Sequence, residues 1–183
     1  MDTRLIVVLI VVAVAAVLLV ALFYMRQRRS KLLRDRFGPE YERTVRERGA
    51  GRAEKELEQR VKRVEHLDLR SLSESARRSY MERWMEIQRR FVDDPKSAVS
   101  FADELITEVM NAEGYPVADF EQRAADISVE YPLLVSNYRV AHDIAQRERG
   151  GGASTEDLRK AIVHYRFLFE QLVEPEAEGR EVA

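Results

Sequence analysis

Residues 5–31 read LIVVLIVVAVAAVLLVALFYMRQRRSK. From Leu5 to Met25 there is no charge, no amide and no hydroxyl except that of Tyr24. At about 1.5 Å rise per residue, such a helix reaches roughly 31 Å, one hydrocarbon thickness. In lipid every backbone N–H and C=O must be bonded within the segment, so a span here has to be helical. Phe23 and Tyr24 stand at its end, where aromatic rings favour the membrane interface. A cleaved signal peptide is the rival reading. Its apolar core should run about 7 to 15 residues and end in a small-x-small cleavage site. This run is longer, its small residues Ala13, Ala15 and Ala16 lie mid-run, and its exit is bulky and basic. A retained single transmembrane helix, residues 1–25, is therefore expected. It contains no GxxxG, so no specific argument favours dimerisation through it.

The flanks orient the segment. Before it stand Arg4 and the terminal amine, and Met1–Thr3 is short enough to translocate easily. After it come Arg26, Arg28, Arg29, Lys31, Arg34 and Arg36. The excess of basic residues on this side predicts that the rest of the chain is cytoplasmic. Near an anionic leaflet each such residue contributes roughly 1 kcal/mol, so these six are expected to mark the membrane surface as well as the topology.

The formal net charge of −2 hides a split. Residues 26–63 carry 14 Lys/Arg against 7 Asp/Glu, and residues 64–183 carry 15 against 24. The membrane-proximal part is basic and the distal part acidic. There is no cysteine among the 183 residues, which excludes disulfides, thiolate metal sites and a cysteine nucleophile. The length beyond the anchor suffices for one domain with a core.

Helical periodicity runs through that remainder. Gly38 suits a left-handed cap, and Pro39 fits the first turn of the helix PEYERTVRER. Gly49-Ala50-Gly51 predicts a break. RAEKELEQRVKRVEHLD follows, with the narrow stripe Ala53, Leu57, Val61 and Val64. This stripe spans only about two heptads, too few for a coiled coil, so a solvated amphipathic helix is expected. Ala76, Tyr80, Trp84, Ile87 and Phe91 are spaced 4, 4, 3 and 4, one face of a helix capped by Ser73 or Ser71. Asp94-Pro95 starts the next, with Ala98, Ala102, Leu105 and Val109 widened by Val99, Ile106 and Met110. A short helix is expected around Asp119–Ile127, another after Tyr131-Pro132, and a last one capped at Ser154 after Gly150-Gly151-Gly152. No period-2 run or repeat is visible. The predicted core is Trp84, Phe91, Leu105, Val109, Phe120, Ile127, Leu134, Tyr138, Ile162, Tyr165 and Phe169.

Motifs that carry chemistry are missing. His66, His142 and His164 lie in no HExxH or Glu-x-x-His pattern, and half-exposed bundle histidines are expected. Asp103, Glu104, Glu108, Asp119, Glu121, Asp126 and Glu130 are expected to form a solvated acidic face. GAG and GGG lack the strand before, and the lysine or hydroxyl after, that a phosphate loop requires. Ser128 and Ser136 sit in no nucleophile-elbow context. The basic stretch is explained by lipid and topology, so no nucleic-acid partner is expected.

Three strings, DRFGPEYERTV, FEQRAADISVEYPLLVSNYRVAH and STEDLRKAIVHYRFLFEQLV, together resemble a family of uncharacterised bacterial membrane-associated proteins, usually described only as membrane or secreted. The resemblance covers most of the chain after the apolar run. It implies one N-terminal hydrophobic segment and a helical domain, and it carries no catalytic residues over.

The expected class is all-α: a transmembrane anchor (1–25), basic juxtamembrane stalk helices (26–66), a compact acidic bundle of four to five helices (67–173) and a disordered tail (174–183). The expected role is a cytoplasmic interaction, scaffold or regulatory module at the inner membrane face. Its expected partners are anionic lipid and a protein, with no catalytic residue, metal or cofactor. Two alternatives are an envelope-facing or secreted helical protein and a metal-dependent helical enzyme.

Overall fold

A computed structural model describes residues 3–173, with side-chain surroundings from Val12 onward. The stretch 174–183, expected to be a tail, lies outside the described residues, as do Met1 and Asp2. Among the described residues there are eight α-helices and no strand, so the chain is all-α. It divides into two compact units, Met1–Leu57 and Glu58–Ala183.

In the N-terminal unit, α1 runs unbroken from Thr3 to Phe37. From Val12 to Arg29 every residue is exposed, with Leu19 at 67% and Phe23 at 70%. Among the described residues no helix is long and apolar enough to cross a membrane. The first seven residues of the apolar run, 5–11, have side chains outside that description. Gly38, at φ 48° and ψ −123°, turns the chain into α2 (Pro39–Arg48). Its φ is positive, as expected of a terminating glycine, but its ψ lies outside the left-handed helical region. Gly49, at φ 77°, closes α2. The predicted three-residue break is corrected to that single residue: Ala50 and Gly51 already belong to α3 (Ala50–Glu65). One positive-φ residue is enough to redirect a helix, so its neighbours are free to start the next. The buried apolar side chains of this unit are Leu33, Phe37, Tyr41, Ala53 and Leu57.

The stripe of α3 also needs correction. Ala53 and Leu57 are fully buried and Val64 nearly so, and this stripe is therefore not solvated. Burying such side chains is favourable by roughly 1.5–3 kcal/mol for each large one, enough to recruit even a narrow stripe into packing. The last eight residues of α3 belong to the C-terminal unit.

That unit adds five helices: α4 (Glu74–Asp93), α5 (Pro95–Glu113), α6 (Phe120–Glu130), α7 (Val135–Arg149) and α8 (Thr155–Val173). α5 packs against α4, α7 and α8, and α7 lies along α8. Its width of apolar face explains this position, since Ala98, Val99, Ala102, Leu105, Ile106, Val109 and Met110 are all buried. Trp84 of α4 stacks on Phe169 of α8, with centroids 4.8 Å apart. Of the predicted core, Phe91, Phe120, Leu134 and Ile162 are partly buried and the others buried.

The caps are local chemistry. Ser73 accepts from Ala76 N, Asp94 from Ser97 N and Asp119 from Gln122 N. At α8 the cap is reciprocal: Ser154 Oγ accepts from Asp157 N while Asp157 Oδ2 accepts from Ser154 N, both at 3.1 Å. α6 extends three residues beyond the expected Ile127 and stops at Tyr131, the residue before Pro132. Gly114 ends α5 in the left-handed conformation at φ 99°. A Cβ there would sit 2.5 Å from the Asp68 carbonyl oxygen, so only glycine lets the 67–72 segment cross this helix end.

Candidate functional site

The six basic residues that follow the apolar run all lie exposed on α1. Arg34 bonds Glu42 at 3.1 Å, and its guanidinium lies 5.3 Å from the Tyr41 ring centroid. Tyr41 is 3% exposed and links three helices of the N-terminal unit: its hydroxyl meets Ser30 Oγ of α1 at 2.9 Å and donates to Glu54 Oε1 of α3 at 3.2 Å. Since the phenol proton goes to Glu54, the Ser30 hydroxyl donates to Tyr41. Beside this chain of hydroxyls opens a groove of about 990 Å³, walled by the basic turns of α1 and by Ala50 and Glu54 of α3. Arg26, Arg28, Lys31 and Arg34 line it, while Arg29 and Arg36 do not. Phe23 and Tyr24 line its apolar end.

The C-terminal unit holds a polar cluster that the sequence pattern did not suggest. Asp103 of α5 is 5% exposed, not part of a solvated acidic face. Its Oδ1 accepts from the Tyr165 hydroxyl of α8 at 2.8 Å and meets His142 Nδ1 of α7 at 3.2 Å. Arg149 approaches Oδ2 at 3.5 Å. His142 Nε2 lies 3.1 Å from the Gln146 side-chain nitrogen, which donates to it. A neutral imidazole protonated at Nδ1 satisfies both contacts. The ring also stacks on Phe120 at 3.6 Å, so His142 is held on a face as well as an edge. Burial pushes the Asp103 carboxyl up, but the bonds from His142 and Tyr165 and the nearby Arg123 charge outweigh it, and its pKa falls below the ordinary value. Burial, then the Asp103 charge, pushes the Tyr165 phenol far up, so it remains a proton donor.

A second cluster joins α3 to α6 inside the same unit. Asp126, fully buried, accepts from Arg63 Nε at 2.7 Å and from Gln122 at 2.8 and 3.0 Å. It too was expected to be solvated. Ser128 accepts from Arg60 at 3.3 Å and donates to the Ala125 carbonyl at 2.6 Å. Glu104, Glu108, Asp119, Glu121 and Glu130 are exposed, as the acidic-face reading has them. His66 is exposed and His164 half-buried, neither beside His142's cluster; burial lowers the His164 pKa.

The Asp103 position was legible in principle. Residues 99, 103, 106 and 110 fall 4, 3 and 4 apart, so Asp103 lies on the stripe of Val99, Ile106 and Met110. Asp126 had no such signal, because α6 is buried over most of its circumference and its partner Arg63 is 63 residues away. Chemically, both clusters bond polar groups to one another across helices. Among the described residues no group of three or more His, Asp or Glu is arranged to hold a metal ion. No family model, no curated protein and no solved structure matches the chain.

Proposed function

We propose that this chain is a single-pass membrane protein, anchored through Leu5–Met25, whose helical C-terminal domain lies on the cytoplasmic side and acts as a protein-interaction module rather than an enzyme. One observation carries the reading: an α-helix exposes apolar side chains all round from Val12 to Met25, then exposes six basic ones from Arg26 to Arg36 with no break in between. A helix apolar on every face requires an apolar surrounding, and water is not one. The run of 21 uncharged residues has the length of a span. The basic turns next to it are the cytoplasmic mark, with Arg26, Arg28, Arg29, Lys31, Arg34 and Arg36 at the lipid surface. An interaction role is supported by how the interior polar groups are used. Asp103, Tyr165 and His142 are engaged with one another, and Asp126 with Arg63 and Gln122. The net negative charge of residues 64–183 favours a partner with a basic surface. The resemblance to membrane-associated helical proteins points the same way.

The test is a pair of reporters fused after Val173, one active only in the cytoplasm and one only outside it. Cytoplasmic-reporter activity in the membrane fraction is expected. Activity of the outside reporter instead would replace this reading by the envelope-facing one.

A further inference from the structure

We propose that the groove between the basic turns of α1 and the start of α3 seats the headgroup of an anionic phospholipid. This rests on the anchored reading above and adds a specific site to it. The groove begins at Phe23 and Tyr24, the level at which a span ending at Met25 would leave the hydrocarbon. Arg26, Arg28 and Lys31 line it next, exposed and without an ion-pair partner among the described residues. Arg34 also lines the groove but pairs with Glu42, so three unpaired cations face two carboxylates, Asp35 and Glu54, and Glu54 already accepts from Tyr41.

The opposite wall adds donors. α3 begins at Ala50 with no acidic residue in its first turn, so its free N–H groups and the positive end of its dipole are not neutralised locally. Gly51 has no side chain to cover them, and Arg26 Nη2 lies 3.8 Å from where a Cβ would be. The exposed cations of α1 converge on one space beside the start of α3, and a phosphodiester has the charge and acceptor oxygens to fill it. The occupant is a lipid and not a free phosphate for a geometric reason: Phe23 and Leu32 also line the groove, which suits an amphiphile entering from the apolar end.

The full chain, reconstituted in phosphatidylcholine vesicles, tests this with trace spin-labelled phosphatidylglycerol or phosphatidylcholine. The motionally restricted fraction reports which lipid sits against the protein. About a fivefold preference for phosphatidylglycerol is expected, the effect of roughly one well-placed basic residue near an anionic lipid. The double variant Arg26→Gln/Lys31→Gln should lose it. Arg46→Gln/Lys55→Gln removes the same charge from exposed positions outside the groove and should keep it. Equal loss in both variants would show diffuse charge and overturn the site. So would the absence of any preference in the wild type, or abolition of the preference by excess glycerol phosphate. A chain that fails to enter the vesicles overturns the anchor along with the groove.

Discussion

Asp103 is a carboxylate placed on the same helical stripe as Val99, Ile106 and Met110. An unpaired charge there would cost several kcal/mol in desolvation. Tyr165, His142 and Arg149 offset that cost by bonding the charged form, and they do so from two helices that pack on α5 or beside it. The net effect is a lowered pKa despite burial. The sign follows. A carboxyl whose pKa is depressed by folding stabilises the fold fully above its unfolded value, near pH 3.9, and loses this as pH falls through the folded value. Asp103→Asn should therefore cost about 2 kcal/mol at neutral pH, the usual size for bonds to a buried charge. Urea unfolding curves at neutral pH and below pH 4 read this directly. The gap between wild type and variant should shrink in acid, and an unchanged gap would mean that shape, not charge, is what the substitution removes.

At the scale of elements, helix ends and helix pairings follow different rules. The ends obey local chemistry: Ser73, Asp94, Asp119 and Ser154 each bond a backbone N–H within the next three residues, and Ser73, Asp94 and Ser154 stood out as caps ahead of an apolar stripe. Pairings do not. α3 meets α6 through Arg60 on Ser128 and through Arg63 on Asp126, a carboxylate with no exposed surface. Removing the cation leaves that charge with only Gln122, so Arg63→Gln should destabilise by about 2 kcal/mol, less than the roughly 3–5 kcal/mol lost from a fully buried pair because Arg63 is partly exposed. Adding Asp126→Asn removes the orphaned charge and should restore part of the loss. A double-mutant cycle by chemical denaturation measures both, and simple additivity would mean that the two side chains are not coupled.

For the molecule as a whole, the expected consequence of the anchored reading is a dependence on the apolar run. Lysines at the centre of a span cost about 2.5–3.5 kcal/mol each. Val17→Lys/Leu19→Lys should accordingly move the chain out of the carbonate-resistant membrane fraction, which immunoblotting of the fractions detects. Retention of the variant there would show that another part of the chain holds it to the membrane. Since both side chains are exposed on α1, the substitution leaves the buried residues of both units untouched.

The amino-acid sequence by itself determined the helical class, most helix boundaries and most of the buried positions. Those are set by periodicity, proline, glycine and capping residues acting over three or four positions. Tyr138, Tyr165 and Phe169 were readable as core for that reason. What only the tertiary structure decided is which charged residues go inside. Asp103 finds His142 and Tyr165 at separations of 39 and 62 residues, and Asp126 finds Arg63 at 63. A carboxylate looks solvated in a sequence until its donors are placed. Burying it becomes tolerable only when distant helices supply those donors, which is a property of packing: the stripe of Val99, Ile106 and Met110 marked the position of Asp103 but not its partners. The groove beside Arg26 arose in the same way, from a glycine-led helix start brought against basic turns already visible in the chain.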